Sequence, residues 1–394
     1  MKISKVEVFQ VDAGWRPWTF VKIKTNNGLH GWSECSDSFG SHIGVKAVVE
    51  DLSKLIIGED PRNIEYVFWK LYSSTRQSTG GIIQKAIAGI ENALLDIKAK
   101  FLEVPVYELL GGKVRDKLQV YWSHFITTRA RSAEFLNVNP IRTIEDLKPL
   151  ADEVKEKGFT VVKTNILIFE DSGAKIYMPG FWKSEGGPEL NIDSALLRKI
   201  EFYITNLKQT LGEKVEIILD TNFNFKTEGY VQIAKTLEKF NLKWLEMDSY
   251  DPKSLAHIRS RTKTPICSGE TLYGARGFKP YFENYSMDIA SVDLLWNGLW
   301  QSKKISDMAE VYEMNIAPHN HYSHLGGIMS AHFAASIPNF KILEVDIDDV
   351  SWKDKLVTKK PKIENGYMEI PDGSGWGVEI DESVLESHPW PKTD

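Results

Sequence analysis

The chain has 394 residues, 42% hydrophobic and 26% charged, with a formal net charge of -6; this describes an ordinary globular protein with room for one large domain and a smaller one. The acidic balance excludes a basic face for nucleic acid and a polybasic membrane anchor, and no apolar run is long enough to span a bilayer. MKISKVEVFQ at the start reads as a strand, not a signal peptide, and two cysteines, Cys35 and Cys267, suit a reducing cytoplasm better than a disulfide framework.

Residues 1 to 34 alternate apolar and polar through KISKVEVFQV, WTFVKIKT and LHGWSE, with Asn26-Asn27-Gly28 between the last two. This predicts a hairpin-rich antiparallel sheet, its turn supplying the positive backbone angles of a tight reversal. Helices follow: a helical stripe over 44 to 57, Pro61 at a position suited to a helix start, and IIQKAIAGIENALLDIKAKFL (82 to 102) with Ile, Ala and Leu at helical spacing. The glycine pair in LLGGKVRD (109 to 116) ends this α+β unit, so a first domain is expected over 1–115.

Strands and helices then alternate. LQVYWSH is a strand, TIEDLKPLADEVKEKG (143 to 158) a helix with a Thr cap and a terminal Gly, and FTVVKTN the next strand. Five later apolar runs each end in one acidic or imidazole side chain: EIILD at Asp220, KWLE at Glu246, PICSGE at Glu270, IASVD at Asp293 and NIAPH at His319. The intervals of 26, 24, 23 and 26 residues match one strand, one helix and two short loops. FKILEVD (340 to 346) brings the strand count to eight, and a parallel βα barrel is expected over 116–349. The last segment, 350–394, carries KIENGYMEIPDGSGWGVEI, hairpin material assigned to the first domain and not to the barrel. Between Lys163 and Asp220 lie 57 residues, and the excess (166 to 190) is a Gly-rich, aromatic insertion on the carboxylate edge, where long βα loops shape substrate access.

The C-terminal ends of barrel strands form the active-site face, so these strand-ending side chains are expected to converge. Asp220, Glu246 and Glu270 make an oxygen-only donor set, suited to a hard cation such as Mg²⁺; the absence of a Cys or His trio argues against zinc. A single acid at a strand end commonly caps a helix or pairs with a cation, but three in register argue for a shared site. An Asp beside a His fixes its tautomer and raises its basicity, which makes the Asp293 and His319 pair a candidate general base. His321 and His324 in HNHYSH leave open which imidazole serves. Lys163 points toward the same mouth, to neutralise a substrate carboxylate, to act as a base if its pKa is depressed, or to pair with a metal carboxylate. Asn222 is expected either to touch substrate or to order its loop, and Trp122, His124 and the 177 to 183 segment are further pocket candidates.

Taken in order, the opening hairpins, ENALLDIKAK, VPVYELLGG, the carboxylate ladder, APHNHYSHLGG and PDGSGWGVEI resemble the mandelate racemase-like branch of the enolase superfamily. The resemblance implies an α/β fold, a (β/α)7β TIM-like barrel under an α+β capping domain. It implies Mg²⁺ held by Asp220, Glu246 and Glu270, and abstraction of the proton α to a substrate carboxylate to give an enediolate. It makes Asp293 and His319 the base pair and Lys163 a carboxylate-site cation. Cap loops near Trp32 to Ser38 and Ser74 to Gly81 would close over the substrate. Asn165, Asn222, His321, His324, His124 and Trp32 are the expected substrate contacts, and homo-oligomers are expected by analogy.

Racemases of this branch carry Lys-x-Lys on the second strand, whereas here the second position is Asn165, whose amide cannot accept an α-proton. One-directional β-elimination from an aldonate or aldarate, giving a 2-keto-3-deoxy acid, is therefore favoured over racemisation, epimerisation or cycloisomerisation, with a noncatalytic sugar-acid binder third. Asn222 stands where galactonate-type relatives carry a histidine, so the general acid stays open. His319 matches the dehydratase-like APH pattern; His324, followed by Leu325 and then His332, resembles the racemase spacing. His319 is preferred because it closes the predicted strand.

Overall fold

The computed structural model describes all residues except 185, 186, 188 and 392–394; parts of the expected insertion and the end of the expected C-terminal segment therefore lie outside the described residues. The first strands, β1 (Ile3–Asp12), β2 (Pro17–Thr25) and β3 (His30–Glu34), form an antiparallel sheet in that order. Gly28 in the β2–β3 turn has φ 92°, as the Asn-Asn-Gly signal requires. Helices α1 (His42–Ser53), α2 (Ile64–Ser74) and α3 (Gly81–Leu102) follow. The sheet lies directly on α3, because Gly31 has no side chain: a Cβ there would sit 2.2 Å from the carbonyl oxygen of Ala93.

The second half alternates. In order come β4 (Lys117–Trp122), α4 (Thr127–Leu136), α5 (Leu147–Glu156), β5 (Val161–Asn165), the hairpin β6 (Leu167–Glu170) and β7 (Gly173–Ile176), α6 (Ser194–Leu211), β8 (Glu216–Asp220) and α7 (Thr227–Leu237). Then come β9 (Trp244–Glu246), α8 (Pro252–Arg259), β10 (Ile266–Ser268), α9 (Gly274–Glu283), β11 (Ile289–Ala290), α10 (Leu294–Asn297), α11 (Leu299–Val311), β12 (Asn315–Ile316), α12 (His324–Ser336) and β13 (Leu343–Val345). The parallel order is β4-β5-β8-β9-β10-β11-β12, and closure comes from the Ile316–Phe340 bridge and the pairing of β13 with β4. This is the expected (β/α)7β barrel.

Its floor is an isolated apolar cluster of Tyr121, Val161, Ile218, Trp244, Cys267, Ile289, Ala317 and Ile342, one residue from each barrel strand or its immediate flank. Such a layer makes the lumen a packed core and leaves chemistry to the strand ends above it. No helix among the described residues is long and apolar enough to cross a membrane.

Three local expectations differ from the structure. The helix expected from Thr143 begins at Leu147, because the Asp146 carboxylate accepts the backbone N–H groups of Arg142 and Thr143 and closes a separate turn there. The first part of the insertion, residues 167–176, forms a regular hairpin, β6 paired with β7. The C-terminal hairpin, β14 (Ile363–Glu364) and β15 (Tyr367–Glu369), pairs with the barrel strand β4 and not with the first sheet. Lys117–Gln119 protrude below the parallel ladder, which begins at Val120 on one side and at Trp122 on the other. That unpaired edge is a template for an added strand. Later residues do return to the N-terminal half: Trp376 donates its indole N–H to the Trp32 carbonyl at 2.7 Å, and Val11 bridges Pro389.

Candidate active site

Side chains of a strand alternate, so residues two positions beyond the apolar floor face the same lumen. Above Val161, Ile218, Trp244, Ala317 and Ile342 these are Lys163, Asp220, Glu246, His319 and Glu344, every one of them buried. Two positions further stand Asn165, Asn222, Asp248, His321 and Asp346. An apolar plug thus carries a charged layer. A cavity of about 200 Å³ opens at this level, lined by Lys163, Asn165, Asp220, Asn222, Glu270, His124, His319 and His321. That volume suits a small metabolite and not a polymer.

The charges are unevenly balanced. Lys163 Nζ donates to Glu246 Oε1 at 2.8 Å and reaches Glu344 Oε1 at 2.6 Å. Burial opposes its charge, but the two carboxylates outweigh that and hold its pKa well above the usual lysine value. Lys163 is thus paired with Glu246, one of the expected metal carboxylates, and with Glu344. Asp220 is held by the Asn165 amide at 3.2 Å and by the Asn222 backbone N–H at 2.9 Å. Burial first, and the facing Glu246 second, push its pKa well above the carboxylate range. Glu270 is pushed up to about 8, by burial and by Asp248 and Glu246 acting against His319.

Asp248 is a fourth acid that the sequence reading passed over. It is buried, accepts from the Gly269 N–H at 3.4 Å, and is pushed up to about 7 by burial and by Asp220. Its place two residues beyond Glu246 on the alternating register was the signal; the run MDSYDP reads as a loop and hid it.

The imidazoles are fixed from behind. His319 Nδ1 lies 2.7 Å from Asp293 Oδ2, which also accepts the Tyr322 hydroxyl, while Asp293 Oδ1 caps α10 through the N–H groups of Leu295 and Trp296. The carboxylate makes Nδ1 the donor and leaves Nε2 facing the cavity, 3.3 Å from Glu270 Oε2. Burial lowers the His319 pKa, but Glu270 and Asp293 raise it further, to about 10. His321 bonds Ser38 Oγ through Nε2 at 2.6 Å, and burial together with the neighbouring His319 holds it well below the usual histidine value.

His124 Nδ1 lies 3.1 Å from Asp346 Oδ1, a second Asp-held imidazole on the same cavity. His124 was an expected contact, but its pairing was not, because the partners lie 222 residues apart. The ending FKILEVD carried the signal: it has a terminal acid, as four of the other five runs do.

Other expected contacts are placed as follows. Asn165 and Asn222 line the cavity; the Asn165 amide N–H groups donate to Asn222 Oδ1 at 3.0 Å and to Asp220, and its Oδ1 accepts from Thr127, so Asn165 orders the carboxylate beside it. Trp32 is away from the cavity, buried on β3 of the first sheet with its backbone N–H on Asp96 and its ring 5.5 Å from that of Phe9. His324 is also elsewhere: it opens α12, whose first turn directs it to Asp354 at 2.7 Å in a separate hollow. Trp122 packs on Phe125 and Phe159. From the N-terminal half, Trp15, Asp37 to Gly40 and Lys85 line the cavity, whereas the 74 to 81 loop reaches it only through Gly80 lying against Tyr273. Met178 and Phe181 of the insertion line it as well.

Asp220, Glu246, Asp248 and Glu270 form an oxygen-only, over-charged cluster whose chemistry fits a hard divalent cation. Among the described residues the side chains do not form a closed cage of three metal-holding groups, since Glu246 is turned to Lys163 and to the Trp244 indole N–H at 2.9 Å.

Comparison with known proteins agrees with this geometry. Residues 146–384 match the "Enolase C-terminal domain-like" family and residues 11–111 the "Mandelate racemase / muconate lactonizing enzyme, N-terminal domain". A D-xylonate dehydratase of Haloferax volcanii is 29% identical over 394 residues, covering 98% of this chain and 89% of its own. A D-galactonate dehydratase of Ralstonia pickettii is 29% identical over 413 residues, covering 98% and 94%. Among solved structures, a candidate L-alanine-DL-glutamate epimerase from Burkholderia xenovorans, bound to magnesium and fumarate, is 44% identical with TM-score 0.96, covering 98% of this chain and 96% of that one. With both domain families matched and the carboxylate ladder at the mouth of a (β/α)7β barrel, the chain belongs to the enolase superfamily, in its mandelate racemase and muconate lactonizing enzyme branch.

Proposed function

We propose that this protein is a Mg²⁺-dependent dehydratase of a sugar acid, removing the proton α to the carboxylate and the hydroxyl β to it. The observation that carries the reading is the one-sided mouth: His319, held by Asp293 at 2.7 Å, faces Glu270, while the second-strand position has the amide of Asn165. The relatives named D-xylonate and D-galactonate dehydratase support the same class.

Asp220, Glu246 and Glu270 would hold the metal, with Asp248 beside them. When bound, the ion offsets the charge that now raises His319 and stabilises negative charge developing on the substrate carboxylate. His319 Nε2 takes the α-proton, and Asp293 holds the imidazolium that results. Lys163 supplies a permanent positive charge beside the substrate carboxylate. His124, held by Asp346 through Nδ1, enters the step as the imidazolium and gives its Nε2 proton to the departing hydroxyl, which leaves as water. Asn165 offers no acceptor on the opposite face, so the proton is not exchanged between faces.

The test is a screen of aldonic and aldaric acids for 2-keto acid formation, with Mg²⁺ and with a chelator. Chelator-sensitive water loss supports the reading. Exchange of the α-proton in D₂O without water loss would replace it with epimerisation, the second reading, which the 44% identical candidate epimerase favours. Binding with neither exchange nor product would make the protein a noncatalytic binder.

A further inference from the structure

We infer that the outer end of this cavity is an anion site built on Arg131, and that the substrate is a diacid. The inference rests on the sugar-acid reading above and narrows it. Arg131 lines the same cavity as Lys163 and His319. It lies on α4 directly before Ser132, whose non-helical angles (φ -136°, ψ 20°) break the helix at the mouth. Its guanidinium is 4.1 Å from the Trp15 ring centroid, so the side chain is braced by the loop between β1 and β2.

Among the described residues the guanidinium has no ion-pair partner. Its Nε and Nη2 are buried and have no hydrogen-bond partner among the described residues. The contrast with Arg16 is informative. Arg16 lies 4.4 Å from the same Trp15 ring and its Nε and Nη1 are likewise without a partner among the described residues, but its Nη2 donates to Asp349 at 3.1 Å and to the His321 carbonyl at 2.7 Å, an ion pair that Arg131 does not make among those residues. Burial and the nearby Arg16 hold Arg131 down to about 10, against a smaller pull from Asp346. Lys183 stands 3.9 Å from the ring of Phe39, one of the cavity walls, and burial and then Arg131 lower its pKa.

The cavity is therefore polarised. Its floor holds the acidic cluster with Lys163; Arg131 lines it together with the aromatic walls of Trp15, Phe39 and Phe181. A buried guanidinium with open donors is costly until a planar anion takes them, and a carboxylate matches its fork. A monoacid bound at the floor leaves Arg131 open, whereas a diacid of sugar-acid length satisfies both ends.

The experiment measures binding and turnover of matched pairs, glucarate against gluconate and galactarate against galactonate, on the Mg²⁺-loaded protein. The expected result is at least tenfold tighter binding of the diacid in one pair. Arg131→Met should shrink that preference to within about threefold by weakening the diacid alone, and Arg131→Lys should restore part of it. Equal binding of diacid and monoacid in the unmodified protein overturns the inference, as does an Arg131→Met variant that weakens both acids alike. If the variants do not fold, the selectivity of the unmodified protein decides the matter. Diacid-selective binding without water loss keeps the anion site and discards the dehydratase reading; water loss from monoacids without diacid preference does the reverse.

Discussion

Lys163 sits between two buried acids and is itself only 2% exposed. Removing one partner of a buried ion pair leaves an uncompensated charge in a low-dielectric site, which costs about 3–5 kcal/mol. Lys163→Met is expected to lower stability by about that amount in chemical denaturation, and Lys163→Arg by less. A Lys163→Met protein as stable as the parent would mean that Glu246 and Glu344 are not both ionised. At the same scale, the proposed function gives His319 and His124 separable tasks. His319→Asn is expected to abolish both α-proton exchange in D₂O and water loss. His124→Gln is expected to keep exchange while cutting water loss by about 10²–10⁴, the usual range for a general acid. Loss of exchange in His124→Gln would place that residue in the proton-abstracting step instead.

At the scale of elements, α12 shows how one histidine ties three segments together. His332 Nδ1 accepts the Tyr107 backbone N–H at 3.3 Å, and Nε2 lies 3.2 Å from the Trp376 carbonyl. The neutral ring thus joins α12 to the segment after α3 and to the C-terminal tail. Protonating Nδ1 would set one N–H against another. Burial lowers the His332 pKa to about 4, against a weaker opposing effect of the Trp376 carbonyl. Because the folded value is below the unfolded one, the unfolded chain binds the proton first. The stabilisation is complete above about pH 6.5 and is lost as pH falls from there to about 4, by about 3 kcal/mol. Thermal melts from pH 7 to 4.5 should show a smaller drop for His332→Gln, whose amide keeps both bonds without titrating. Identical pH slopes for the two proteins would contradict this.

At the scale of the whole molecule, the acidic cluster links metal, cavity and stability. A ligand that binds only the folded form stabilises it by about 2.7 kcal/mol at a hundredfold excess over its Kd. Mg²⁺ is expected to raise the melting temperature, and Asp220→Asn to abolish most of that rise while relieving repulsion in the metal-free protein. A rise of equal size in Asp220→Asn would move the ion away from the barrel mouth. The cavity is also shared between the two halves of the chain, since Trp15, Asp37 and Lys85 meet Lys163, Asp220 and His319 there.

What the sequence determined by itself follows from local rules. Alternating side chains, strand-length apolar runs and a regular βα interval place Asp220, Glu246, Glu270, Asp293 and His319 at one barrel face without any knowledge of contacts, because a closed parallel barrel has a single face where its strands end. Tertiary structure alone decided which neighbours those side chains meet. The pairing of His124 with Asp346 spans the chain, the turn of His324 toward Asp354 depends on where α12 begins, and the C-terminal hairpin found its partner in an edge of β4 left open by stagger. That Arg131 Nε and Nη2 find no hydrogen-bond partner among the described residues is a property of three-dimensional packing as well. Periodicity fixes the direction in which a side chain leaves the backbone; only the folded chain fixes which charge stands opposite.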